Sequence, residues 1–393
     1  MHPAPAAAAA GLDLLSSHTL APPARAPLLD ALRALALLSV LVVNAAGYLV
    51  APWGALLGER SPPGSALAST VQALVAALLQ GKGYPMLAFL FGMGLWLAQR
   101  RRAASLARQR GVARQKKLLR LGVLHGMFVY FGDILTMYAL VGWNLLAHMR
   151  EPWRSLRRRL RRALGWALGV TLVSVVLTAW IAAPGGWADP ATLATDPTLA
   201  AAAHWRDFWW TNAGAYLTLQ IGALLMLWPV LRLCMLCGVA AARLRLLTHR
   251  RWRQQLKRWT ARAAAPLLLL NLGYGLAYIH VTTDSARALW LDWMGTLIGP
   301  PLAALYVVAL AMAARGGVAA WCLALAPLGQ RTLTLYVGHS LLCLALFSGV
   351  GLGWRPGTVD MAAFAVALWA AALVAARASG AWRWPLEAWL ARR

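Results

Sequence analysis

Ten times along this chain, apolar residues run on for about the length a helix needs to cross a bilayer, roughly 20 residues for a hydrocarbon layer of ~30 Å. The runs fall near 31–50, 82–99, 118–132, 133–149, 163–183, 213–241, 264–282, 295–314, 332–350 and 359–377. With 393 residues, 60% of them hydrophobic and 13% charged, the chain holds more apolar surface than a soluble core can hide. The expected fold is therefore all-α, a polytopic membrane bundle of about ten transmembrane helices. Residues 27–393 form one transmembrane domain in this reading. The Ala- and Pro-rich stretch 1–26 lacks the basic and apolar regions of a signal peptide and reads as a disordered cytoplasmic tail. The segment 65–80, apolar but studded with Ser, Thr and Gln, suits an interfacial helix before the chain enters the membrane at Gly81-Lys82-Gly83.

A net charge of +26 raises the question of nucleic acid, but the arginines do not form a face. They are parcelled into connections at 100–120, 150–162, 243–262, 315–331 and 377–393, while the alternate connections carry Glu59, Asp189, Asp196, Asp207, Asp284 and Asp292. The positive-inside rule then places both termini in the cytoplasm, which requires an even number of spans. Anionic lipid accounts for the basic loops, and nucleic-acid binding is not expected. Cys234 and Cys237 make a CxxC inside a span with no second pair to complete a zinc site; packing is their reading, and no metal site is expected. No Gly-rich phosphate loop is present to support ATP-driven transport.

The run from Lys117 to Gly142 sets His125 and Asp133 in otherwise apolar sequence between arginine clusters. Ionisable groups cost several kcal/mol in hydrocarbon, so such residues are either used or paired. Phe131-Gly132-Asp133 looks like a break able to fold the second half of the segment back, making a discontinuous helix that lines a cavity. A neutral imidazole there can take a proton from a hydroxyl or amine while the carboxylate orients it. The alternative is a His–Asp hydrogen bond that only ties two helices together. His339, in a late span after Tyr336, is either a second proton-handling group or a helix–helix hydrogen bond. Asp30 and Arg33 are spaced for a local ion pair at the cytoplasmic mouth. Arg232, just past Pro229, can snorkel, neutralise Asp133 or meet an anionic ligand, and Arg331 at the start of the His339 span is a further candidate cation.

Five ordered landmarks resemble the YeiB-like family of multipass bacterial membrane proteins: Leu29-Asp30-Ala31-Leu32-Arg33 continuing to Asn44; Phe89-Leu90-Phe91-Gly92-Met93-Gly94; Gly122-Val123-Leu124-His125 with Gly132-Asp133-Ile134-Leu135; Gly329-Gln330-Arg331 through Tyr336 to His339-Ser340; and Pro385-Leu386-Glu387. The pattern is in turn similar to heparan-glucosaminide acetyltransferase-like and sugar O-acyltransferase families, whose first span also begins with Asp-x-x-Arg. Ala34, Leu335 and His339 depart from the YeiB-like pattern, the last toward the acyltransferases. The resemblance implies a bacterial inner-membrane protein that moves an acyl group from cytoplasmic acyl-CoA, its co-substrate, to a small-molecule or glycan acceptor at or across the membrane. It implies His125, Asp133 and His339 as catalytic, with Asn44, Asp30, Arg33, Arg232 and Arg331 toward substrate. Two other classes stay open: a secondary transporter of a small metabolite or lipid with a His/Asp proton relay, and a non-catalytic lipid-binding protein. Membrane lipid is a partner in every case, and a homodimer is the commonest closed assembly.

Overall fold

The computed structural model describes residues 27–49, 64–100, 103–181, 204–281, 285–314, 319–380 and 382–392. The tail at 1–26 and most of the connection after residue 181 lie outside them. The described residues form α1 Pro27–Ala46, α2 Ala66–Leu78, α3 Gly83–Gln99, α4 Ala104–Phe128, α5 Leu135–Leu146, α6 Trp153–Ile181 and α7 Trp205–Leu225. They continue with α8 Leu227–Leu244, α9 Arg253–His280, α10 Ser285–Ala313, α11 Ala320–Gly329, α12 Thr332–Phe347, α13 Thr358–Ala378 and α14 Pro385–Ala391. The described chain is all-helical.

Seven helical stretches are long and apolar enough to cross a membrane, against the ten expected: Pro27–Ala46, Ala66–Gln99, Trp153–Trp180, Leu227–Leu244, Arg250–His280, Arg287–Ala313 and Thr358–Ala378. The three expected spans that fall short are 118–132, 133–149 and 332–350. α4 carries six basic residues between Arg108 and Arg120, and α5 and α12 have only 12 and 16 residues, or about 18 and 24 Å of helix. A further correction concerns 213–241, which is divided at Met226 into α7 and α8. Pro229 lies three residues beyond, where its ring removes a helical N–H and crowds the preceding turn.

Helix α1 is the shaft of the bundle. It packs against α3, α11, α12 and α13, and Ala31, Leu32, Ala34, Ala36, Leu37 and Leu41 are buried on every side of it, as expected of a helix apolar all round. α3 and α8 touch backbone to backbone: a Cβ on Gly92 would lie 2.0 Å from the Met235 carbonyl oxygen, and one on Gly238 1.9 Å from that of Phe89. Small residues of this kind are what let membrane helices approach closely. At the periphery stand α6, α9 and α13, with only 28%, 17% and 22% of their most apolar windows buried. The segment expected at the interface is α2, capped by the Ser65 hydroxyl accepting from Ala68 N at 3.1 Å and packed along α9.

Candidate functional site

α4 and α5 form an antiparallel hairpin whose register is read from its close contacts. Positions for a Cβ on Gly111, Gly122 and Gly142 meet Leu146, Thr136 and Gln115 respectively. The turn at its tip, 129–134, carries Asp133, so the break expected at 131–133 is present and α5 does fold back. A side chain at Gly122 would strike Thr136 N at 2.5 Å and Asp133 Oδ2 at 3.0 Å. Its absence lets the tip close onto α4.

His125 Nδ1 and Asp133 Oδ1 are 2.9 Å apart, and both side chains are at 0% exposure. The other carboxylate oxygen, Oδ2, accepts from Thr136 N at 2.9 Å. With Nδ1–H as donor to the carboxylate, the neutral imidazole carries its lone pair on Nε2. His125 Nε2 has no hydrogen-bond partner among the described residues. The Tyr336 ring of α12 packs on His125 with centroids 5.1 Å apart, and His339 follows Tyr336 by three residues, one turn further along α12, and is buried. His339 Nε2 is 3.4 Å from Cys343 Sγ, while its Nδ1 is buried without a partner.

α7 supplies the third wall. Asn212 Nδ2 donates to the carbonyls of Gly126 at 2.8 Å and Met127 at 2.9 Å, satisfying the end of α4. Tyr216 OH pairs with Thr136 Oγ1 at 2.9 Å, and Gln220 Nε2 donates to the Asp133 carbonyl at 3.0 Å. Gly126 is required for this fit, because a Cβ there would lie 2.1 Å from the Tyr216 ring. Sequence reasoning missed all three of these residues. Their signal is present: Asn212, Tyr216 and Gln220 are spaced i, i+4, i+8 and mark one polar face of an apolar helix. From the turn just past α1, the Tyr48 hydroxyl donates between the carbonyls of Val129 at 3.0 Å and Ser340 at 2.9 Å, joining the hairpin tip to α12.

The other expected residues separate into two groups. Asn44 is half-buried in the last turn of α1. The remaining four are not brought to the dyad. Arg33 Nη1 donates to Asp30 Oδ1 at 2.6 Å, the local ion pair expected, at the far end of α1. Arg331 is buried and donates to the carbonyls of Pro327 at 2.6 Å, Gly380 at 2.6 Å and Trp382 at 3.0 Å, a clamp between helix ends and not an open cation. Arg232 is half-buried on α8, its Nε without a hydrogen-bond partner among the described residues. Among the described residues no group of three His, Cys, Asp or Glu is placed to hold a metal.

Long apolar helices around a polar interior are those of a multi-pass membrane protein. Residues 241–383 match the family model described as "Protein of unknown function (DUF418)", so the part of the chain from the end of α8 through α13, His339 included, is similar to that uncharacterised family. No curated protein matches the chain.

Proposed function

We propose that the protein is a membrane acyltransferase of the bacterial inner membrane. In this reading His125 is the general base, Asp133 orients it, and acyl-CoA is the cytoplasmic donor. The observation that carries the reading is the dyad itself: Asp133 engages Nδ1 at 2.9 Å while Nε2 remains unpartnered in a buried site. That is the arrangement in which an imidazole removes a proton from an attacking hydroxyl or amine, and in which a fixed carboxylate stabilises the imidazolium that results. The proton taken from the acceptor then passes to the leaving thiolate of coenzyme A as the new acyl bond forms. His339 stands as the assisting proton carrier, and Asn44 as the amide that holds the thioester or acceptor.

The basic connections place both termini in the cytoplasm in this reading. The hairpin preserves that parity, since α4 begins and α5 ends on the same side whether or not it traverses the whole layer. Five residues of α4, roughly 7.5 Å, separate Arg120, the last arginine of that helix, from His125. In this reading the dyad lies toward the cytoplasmic half of a ~30 Å hydrocarbon core, where irregular backbone is tolerated only inside protein.

The test is coenzyme A release by the purified protein in lipid, with acetyl-CoA and longer acyl-CoA as donors and amine, sugar and lipid acceptors. The proposal expects thioester turnover above the lipid-only background. Absence of both CoA binding and turnover, alongside pH-driven solute uptake into vesicles, would replace it with the transporter reading, in which the same groups relay protons.

A further inference from the structure

We infer that Glu387, in the short C-terminal helix α14, is a positioning residue for the two-histidine site, and that α14 braces the helix carrying His339 against the helix carrying His125. The inference rests on the proposed role of that site, but its geometry is independent of it.

α12 begins without a cap of its own: Arg331 occupies the N-cap position and makes no side-chain cap hydrogen bond. The free N–H groups of the first turn are met from more than fifty residues away. Glu387 Oε1 accepts from Leu333 N at 2.8 Å and Thr334 N at 3.0 Å, and Oε2 accepts from Thr334 Oγ1 at 2.5 Å. The Thr334 hydroxyl accepts in return from Leu386 N at 3.1 Å, which closes the loop of contacts. A carboxylate at a helix N-terminus also meets the positive end of the macrodipole.

The other end of α14 is gripped by α4. Lys117 Nζ donates to the carbonyls of Trp389 at 3.3 Å and Arg392 at 2.5 Å, and lies 5.6 Å from the Trp389 ring centre. A cation on the last carbonyls of a helix is the counterpart of the carboxylate at its start. Arg331 adds the second arm, tying the entrance of α12 to Gly380 and Trp382 in the connection that leads into α14.

Both braced helices run from the brace toward the site. His125 is eight residues beyond Lys117 and His339 five beyond Thr334, about 12 and 7.5 Å along their axes. A change of spacing at the brace is therefore carried to the imidazoles, and errors of order 1 Å in such a site can cost roughly a hundredfold in rate.

The experiment uses the full chain in lipid nanodiscs, with Cys234 and Cys237 replaced by alanine. Spin labels go on α4 at Leu124 and on α12 at Leu341, which are 58% and 49% exposed and point away from the site. Glu387→Gln is expected to widen or shift the α4–α12 distance distribution, to lower kcat tenfold to a hundredfold at unchanged KM, and to be restored in part by Glu387→Asp. Lys117→Met, which loosens the opposite end, is expected to act in the same sense and serves if Glu387→Gln does not fold. A wild-type distance distribution in these variants overturns the brace. Widened distances in a protein that never turns over acyl-CoA leave the brace standing and remove the acyl-transfer reading instead.

Discussion

The outer helices α6, α9 and α13 and the inner set α4, α5 and α12 are built on opposite rules. The outer three have 29, 28 and 21 residues and little burial, and side chains such as Leu172, Leu269 and Val374 stand more than 60% exposed. Lipid is their solvent, and length and hydropathy describe them. Three glycines on them, Gly165, Gly169 and Gly273, have nothing within 4 Å of where a Cβ would stand, while Gly275, where α9 meets α2, would strike the Ala73 carbonyl oxygen at 2.3 Å. The inner set is shorter or interrupted, and Gly111, Gly122, Gly126 and Gly142 on α4 and α5 are crowded by other segments, Gly338 on α12 being open. What decides its form is which polar group meets which, since each unmet group in a dry interior costs free energy that no lipid contact returns.

The largest difference between the two regions is expected at Asp133. Asp133→Leu leaves His125 Nδ1 and Thr136 N facing an apolar side chain and should destabilise by about 3–5 kcal/mol. Val374→Ala on the outer face of α13 should stay within about 0.5 kcal/mol. Unfolding midpoints in mixed micelles compare the two, and equal shifts would erase the distinction.

Glycine sharpens it at smaller scale. Gly126→Ala must displace the Tyr216 ring and should cost about 1–3 kcal/mol, whereas Gly169→Ala on α6 meets open space and should stabilise by about 0.5–1 kcal/mol through helix propensity. Opposite signs in the same melting assay are the expected outcome.

The smallest effect lies outside both regions, in the connection from α5 to α6. The Arg159 guanidinium, bonded to both carboxylate oxygens of Glu151 at 2.7 Å, holds that carboxyl down at about 2, helped by Ser155 and His148. A carboxyl depressed in the folded state stabilises fully above its unfolded value of about 4.3 and loses that contribution as pH falls through the folded one. The difference in melting between the wild type and Glu151→Gln should thus be constant from pH 7 to about 5, then shrink and vanish near pH 2. Because the pair is partly solvated it should amount to no more than ~1 kcal/mol. A difference that persists at pH 2 would contradict the assignment.

The outer region was legible in the amino-acid order because lipid imposes a rule of length and composition on each helix separately. Its residues announce α6, α9 and α13 with no knowledge of their neighbours. Within the inner region, His125, Asp133 and the break between them were legible for the converse reason, as charges that hydrocarbon would not tolerate. Length and composition alone do not single out α4, α5 and α12, where apolar runs are cut by Gly132 and by the clamp at Arg331, and the bounds of the run 213–241 changed at Met226, close to Pro229. Asn212, Tyr216 and Gln220 escaped notice because uncharged polar residues in a span look unexceptional until their common face is drawn. Arg331 pointed toward substrate only while its three carbonyl partners, two of them some fifty residues away, were out of view.

The central claim is that His125, oriented by Asp133, moves the proton in an acyl transfer. Its most direct test is kcat of the purified wild type and His125→Ala in the same lipid, with acyl-CoA as donor and the melting midpoint recorded for both. The account predicts a fall of roughly 10²–10⁴-fold with the protein still folded, and a His125→Ala enzyme that turns over acyl-CoA at the wild-type rate would contradict it.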